Sequence, residues 1–242
     1  MHIEQTLSRA LGGLDHAALR ADYATYNELV WRERMLPPDL VAQLTREAVE
    51  LKPSARRRHI PGYKKSGSVS YHQLAEAAPT IMSLYRDPSF IALFASLAGS
   101  PLVPCPDEDP HACALYYYTE PGDRIGFHYD SSHYEGERYT VLVGLVNRSR
   151  SELVCHPYRK MSCAQLELRI STAPGTVVFF NGGNIWHSVS PVGEGEERIV
   201  LTLEYVTDPT MSAARRLLSN VKDAVTYFGF KEVWSRRRAP AR

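Results

Sequence analysis

Three side chains in this sequence have both the chemistry and the spacing of a metal site. The segment GFHYD (residues 126–130) sets His128 and Asp130 two residues apart in a strand-like stretch, and a period of two turns both toward one face. Fifty-seven residues after Asp130, NGGNIWHSV (181–189) brings His187 to the start of another β-prone run. Two imidazoles and one carboxylate on one face of an iron ion leave three positions open, as oxygen-activating non-haem Fe(II) chemistry requires. The plainer alternative is a structural His128–Asp130 pair, with His187 an unrelated surface histidine.

Arg198 follows His187 by eleven residues and opens RIVLTLEYV (198–206), a buried-looking strand. An unpaired buried guanidinium is strongly unfavourable, so Arg198 needs an anionic partner. Thr202, four residues on, shares its strand face, so the two side chains can address one ligand. PGTVVFFN (174–181) is a turn and then a strand that would deliver the chain to His187.

Positioning such a site takes strands, and the sequence supplies them after Pro101. Runs rich in β-branched and aromatic residues cover 112–119, 124–129, 139–146, 165–170, 176–180 and 198–206. Short strands at this spacing, with no helical segments between them, suggest an antiparallel barrel or jelly roll. The first hundred residues have helical periodicity instead. Asp15 caps a segment running to about Met35 through Leu19, Tyr23, Tyr26 and Val30. Residues 39–51 repeat the pattern through Leu40, Leu44 and Ala48, and 74–97 resume it, with a break at Asp87-Pro88 and an end at Gly99. Residues 211–228 return to helical spacing before a basic tail, 236–242. The expected organisation is one α+β domain: a helical front (1–100), a β core (101–208), and a C-terminal helix and tail (209–242).

Composition narrows the function classes. Of 242 residues, 44% are hydrophobic, enough to fill a core, and 28 basic side chains against 27 acidic ones leave a net charge of +1. That balance argues against a nucleic-acid-binding surface and against an acidic tail. Four cysteines, Cys105, Cys113, Cys155 and Cys163, are too sparse for a disulfide scaffold, and no CxxC pair suggests a thiolate zinc site. Glu4, Arg9 and Asp15 interrupt any signal-peptide core, and no run of about 18 apolar residues offers a membrane span. A cytoplasmic protein with free thiols is expected.

Taken together, these residues resemble the Fe(II)- and 2-oxoglutarate-dependent dioxygenases, especially the branch similar to prolyl hydroxylases. The resemblance covers residues 112–206, about two-fifths of the chain, and rests on the order H-x-D…H…R with fitting strands between. YTEPGDRIGFHYD (118–130) looks like the family's entry to the metal, RYTVLVGLVN (138–147) like the next core strand, and PGTVVFFNGGNIWHSVSPV (174–192) like the strand carrying the second histidine. It implies a double-stranded β-helix, Fe(II) on His128, Asp130 and His187, and 2-oxoglutarate and O2 as co-substrates. It further implies Arg198 on the distal carboxylate of 2-oxoglutarate, with Tyr118 and Thr202 as hydroxyl partners. In members that halogenate, a small residue replaces the ligand carboxylate and chloride takes its place, so Asp130 points to hydroxylation or a related oxidation, not chlorination. Two departures stand out: SRSELVCHPY (149–158) replaces a glycine-rich segment common there, and Leu145 stands where some relatives have a second tyrosine.

Other candidates have blander readings. His72, His111, His133 and His156 lack a productive ligand partner, His133 near Asp130 excepted, and are expected at the surface or against substrate. Tyr116, Tyr117 and Tyr118 alternate across a strand, so at least one must pack away from any pocket. The basic segment RRRHIPGYKKSGSVSYH (56–72) joins cations, two tyrosines and two glycines. It is expected either as a solvent-exposed connection or as a mobile lid that brings a cation to a substrate carboxylate. The favoured substrate is a small polar metabolite such as a free amino acid. The alternatives are a peptidyl hydroxylase and a non-catalytic cupin-like metal-binding module.

Overall fold

The computed structural model describes residues 3–130, 132–212 and 215. Helices α1 (Ile3–Gly12), α2 (His16–Thr25), α3 (Pro38–Leu51), α4 (Tyr71–Ala77), α5 (Pro79–Tyr85) and α6 (Pro88–Ala98) occupy the first hundred residues. Their ends follow local chemistry. Asp15 accepts from the Ala18 N–H, and Asp87 accepts from Ser89 and Phe90 with Pro88 opening α6. Gly99 closes that helix at a φ of 68°, a conformation that favours glycine.

Twelve strands make one curled antiparallel sheet: β1 (Leu29–Arg32), β2 (Arg56–Ile60), β3 (Lys64–Val69), β4 (Val103–Pro104), β5 (Cys113–Tyr118), β6 (Arg124–His128), β7 (Arg138–Arg148), β8 (Leu153–His156), β9 (Leu168–Ile170), β10 (Val177–Asn181), β11 (Trp186–Val189) and β12 (Glu197–Val206). Their order is β1-β10-β7-β12-β5-β3-β6-β11-β8-β9, with β2 added to β3 and β4 to β12. This is the double-stranded β-helix expected from the sequence.

Strand β12 shows how the fold divides its surfaces. Ile199, Leu201, Leu203 and Tyr205 join the core shared with the helices, among them Leu44, Leu84, Phe90 and Phe94. Arg198, Val200, Thr202 and Glu204 alternate with them and turn to the inside of the curl. There Val200 packs with Tyr118, Ile125, Leu142, Leu153, Phe180 and Val189 in a second, inner cluster. Burying the helices' apolar stripes on the outer face therefore leaves the inner face to a cavity. Among Tyr116–Tyr118 the alternation holds: Tyr117 faces the helices and donates to the Ala48 carbonyl at 2.7 Å, while its neighbours face inward.

Several expectations are corrected. The helix from Asp15 stops at Thr25, because Asn27 (φ 52°) and Glu28 (φ 70°) reverse the chain into β1, which carries Val30. The 74–97 region is three helices, with an added break at Pro79. Residues 56–72 are not a mobile lid or a loose connection: they contain the β2–β3 hairpin, and β3 is built into the sheet between β5 and β6. Its cations are committed there. Arg57 makes a fork on Asp123 (2.8 and 2.6 Å), Lys65 donates to the Pro121 carbonyl, and Lys64 is buried over the Tyr116 ring. The C-terminal helix and tail expected over 211–228 and 236–242 lie outside the described residues, Met211, Ser212 and Arg215 apart. All four cysteines are free, three of them buried, and among the described residues no helix is long and apolar enough to cross a membrane.

Candidate active site

His128 ends β6 and His187 lies in β11, and the register of the two strands sets them directly opposite one another. Their rings lie 4.3 Å apart between centroids. Asp130 reaches the same point from just beyond β6, its N–H donating to the Gly182 carbonyl at 2.9 Å. The approach depends on glycine: a Cβ on Gly182 would stand 2.3 Å from Asp130 Oδ2. Asp130 Oδ1 is 3.4 Å from His128 Nε2 and 3.7 Å from His187 Nε2, and one donor atom from each residue lies within 4.8 Å of the others. No other His/Cys/Asp/Glu group of this kind occurs among the described residues.

Each imidazole is oriented by the main chain. His128 Nδ1 meets the Gly126 carbonyl at 2.9 Å and His187 Nδ1 the Ile185 carbonyl at 3.0 Å. A carbonyl can only accept, so Nδ1 carries the proton and Nε2 keeps its lone pair for a metal. Burial, with His128 adding to it, lowers the His187 pKa to about 4, so this ring is neutral near pH 7. Burial alone would raise the Asp130 pKa, but His187 and His128 outweigh it and hold the carboxyl well below the usual range. Two neutral-capable imidazoles and an ionised carboxylate are a donor set that fits Fe(II).

The triad opens on a cavity of about 290 Å³. At one end is Tyr118, fully buried, its phenol pushed up to about 12 by burial. The Arg198 guanidinium stacks on its ring at 5.0 Å. Arg198 is 0% exposed and donates from Nε to Thr172 Oγ1 at 2.9 Å, while Nη1 and Nη2 have no hydrogen-bond partner among the described residues. Burial lowers its pKa, and no described carboxylate forms an ion pair with it. A buried fork with two unused donor nitrogens suits a carboxylate ligand.

The other end is polar and cross-linked. Arg138 Nε donates to Glu204 Oε2 at 3.0 Å, and Arg138 Nη1 lies 3.7 Å from Asp109, which also accepts from Tyr134 at 2.8 Å. Thr140 Oγ1 lies 3.0 Å from both Glu204 Oε2 and Asp130 Oδ2. Burial, with Asp130 adding to it, pushes the Glu204 pKa up to about 7. Thr202 lines this cavity too, four residues and about 13 Å of strand from Arg198, and its hydroxyl donates to the Ala114 carbonyl at 3.3 Å.

The structure thus brings His128, Asp130 and His187 together, with Tyr118 at one end of the cavity, Arg198 stacked on its ring, and Thr202 further along the wall. His111 lines the cavity, its Nδ1 3.0 Å from the Tyr116 hydroxyl, whereas His156 pairs with Glu167 outside it. Tyr63, at the β2–β3 turn, lines the cavity edge-on to His128. Glu204, Arg138, Thr140, Thr172 and Gly182 belong to the site without having been singled out in the sequence. One signal was available for Glu204, which continues the inward face of Arg198 and Thr202.

SnoN, a non-heme alpha ketoglutarate dependent epimerase from nogalamycin biosynthesis, superposes with a TM-score of 0.67 at 18% identity, over 83% of this chain and 86% of its own. The carbocyclase SnoK from the same biosynthesis gives 0.65 at 15%, over 82% and 88%. A Pseudomonas putida prolyl-4-hydroxylase gives 0.57 at 19%, over 80% and 98%. The fold is therefore that of the 2-oxoglutarate-Fe(II) oxygenases. By sequence, the chain belongs to the Halogenase D (HalD) family, whose model matches residues 14–135, just over half of the chain. No curated protein matches the sequence.

Proposed function

We propose that this protein is a non-haem Fe(II)- and 2-oxoglutarate-dependent dioxygenase that hydroxylates an unactivated C–H bond of a small polar metabolite, such as a free amino acid or its derivative. The observation that carries the reading is a His–Asp–His donor set on the cavity wall, with a buried guanidinium, two of its nitrogens unused, stacked on the Tyr118 ring that lines the same cavity. SnoN has been crystallised with Fe3+ and alpha ketoglutarate, the pair of ligands that this donor set and this guanidinium would take.

His128, Asp130 and His187 would hold the iron, whose bound form supplies O2 activation coupled to decarboxylation of 2-oxoglutarate to succinate and CO2. Arg198 would take the distal carboxylate in a bidentate fork, with the Tyr118 phenol beside it. Thr202 is read as part of the substrate wall, not as a partner of that carboxylate, because it stands about 13 Å of strand away from Arg198. Ile125, Leu142, Leu153, Val189 and Val200 exclude water from the reacting end.

Despite the family's name, Asp130 favours hydroxylation. Its carboxylate would fill the position that a metal-bound halide would need, and the absence of a side chain on Gly182 makes room for it. A small substrate accords with the cavity, which is at the lower end of ligand-site volumes. A polar substrate accords with Arg138, Thr202 and Glu204 in the cavity lining.

The test is a screen of free amino acids and short peptides for substrate-stimulated succinate release, with Fe(II), ascorbate, O2 and chloride present. A free amino acid that stimulates release and gains one oxygen atom is the expected result. Stimulation by peptides only would favour a peptidyl hydroxylase, a chlorinated product would overturn hydroxylation, and no succinate at all would favour a binding module.

A further inference from the structure

We infer that Thr140 is a positioning residue, which fixes Asp130 as a single-oxygen metal ligand by holding the carboxylate's other oxygen. The inference rests on the metal reading above and goes beyond it. Asp130 divides its two oxygens between two surroundings. Oδ1 faces both Nε2 atoms, at 3.4 and 3.7 Å. Oδ2 faces away from them, accepting from the Thr140 hydroxyl at 3.0 Å, with the Gly182 backbone packed closely against it. A carboxylate held this way cannot swing to offer both oxygens, which keeps the remaining metal positions for a chelating co-substrate.

Proton counting assigns the direction of the Thr140 bond. The hydroxyl has one proton and two carboxylate neighbours, each at 3.0 Å. Glu204 Oε2 already receives Arg138 Nε at 3.0 Å. Asp130 Oδ2 has no other donor among the hydrogen bonds of the described residues, so it takes the Thr140 proton. The hydroxyl is also rigidly placed: in β7, Thr140 is paired on one side with Phe180 of β10 and on the other with Glu204 of β12. Arg138 thereby acts at one remove, satisfying Glu204 and freeing the threonine for the metal ligand.

The probe is Co(II), whose visible d–d absorption reports the ligand set, titrated into the full-length protein and into Thr140→Val and Thr140→Ser. Valine keeps the shape and removes the proton; serine keeps the proton. Outer hydrogen bonds to metal ligands are commonly worth about 10–100-fold in affinity, so Thr140→Val should weaken Co(II) by that factor and alter its spectrum, and Thr140→Ser should restore both. Metal-free thermal unfolding accompanies each titration. Valine with wild-type affinity and spectrum would overturn the inference, as would valine and serine variants that lose stability and affinity in parallel, which marks a merely structural side chain. A wild-type chain that takes up no Co(II), behaving like His187→Ala, is a different failure: it sinks the metal reading itself and this inference with it.

Discussion

Behind Tyr118, at one end of the cavity, Arg198 is fully buried, its Nε donating to Thr172, with no ion pair among the described residues. At the other end Arg138 is shared between Glu204 and Asp109, and Asp109 also accepts from Tyr134. Both guanidiniums come from adjacent strands of one sheet, so the fold is not what separates them. The difference lies in whether the chain itself supplies the counter-charge. A buried cation without one is costly to the ligand-free protein, and that cost is recovered only when an anion enters. On the proposed reading the Arg198 end takes its carboxylate from solution, whereas the Arg138 end has its counter-charges within the chain.

Substitutions can break this contrast. The largest effect should fall on the self-paired end: Glu204→Leu leaves Arg138 buried with only the 3.7 Å contact to Asp109. Breaking a buried pair from one side costs about 3–5 kcal/mol, read as a drop in denaturant midpoint. Glu204→Gln keeps an oxygen for Arg138 and should lose clearly less. Equal losses in the two variants would mean that the charge of Glu204 is not what Arg138 needs.

At the unpaired end the same kind of change should act in the opposite sense on stability. Arg198→Met removes an uncompensated buried charge, so the ligand-free variant should melt no lower than wild type. Its affinity for 2-oxoglutarate should fall at least tenfold, because a truncated charge-assisted pair costs about 2–5 kcal/mol. A variant that melts far lower with unchanged 2-oxoglutarate affinity would make Arg198 a structural residue. The smallest effect is assigned to Tyr118→Phe. One neutral hydroxyl is worth about 0.5–1.5 kcal/mol, so 2-oxoglutarate affinity should fall only several-fold, with the Arg198 stacking preserved. A loss as large as that of Arg198→Met would shift the main contact to the phenol.

What the sequence made legible is set by distance along the chain. His128 and Asp130 lie two residues apart and RIVLTLEYV declares its own inward face, so these candidate positions were readable from local spacing, whereas His187 joins them only through the pairing of β11 with β6. The Thr140–Glu204–Arg138 group joins residues 64 and 66 apart through strand pairing, and no local pattern announces it. The β2–β3 hairpin was hidden for another reason. Its charges read as solvent-facing, yet Arg57 and Lys65 are tied to Glu120, Pro121 and Asp123 at the turn before β6, and Lys64 lies beneath Tyr116. The overrun helix failed at Asn27 and Glu28, where positive φ values turn the chain without glycine or proline to mark the place.

The proposed chelate has one iron held by His128, Asp130 and His187 and a 2-oxoglutarate whose far carboxylate would rest on Arg198. It is tested most directly by adding 2-oxoglutarate anaerobically to the Fe(II)-loaded protein and following the visible metal-to-ligand charge-transfer band of the chelate. The band should appear in wild type, be absent in His187→Ala, and in Arg198→Met require at least ten times more 2-oxoglutarate. A band of wild-type strength in His187→Ala, or one in Arg198→Met that saturates at the wild-type concentration, would contradict it.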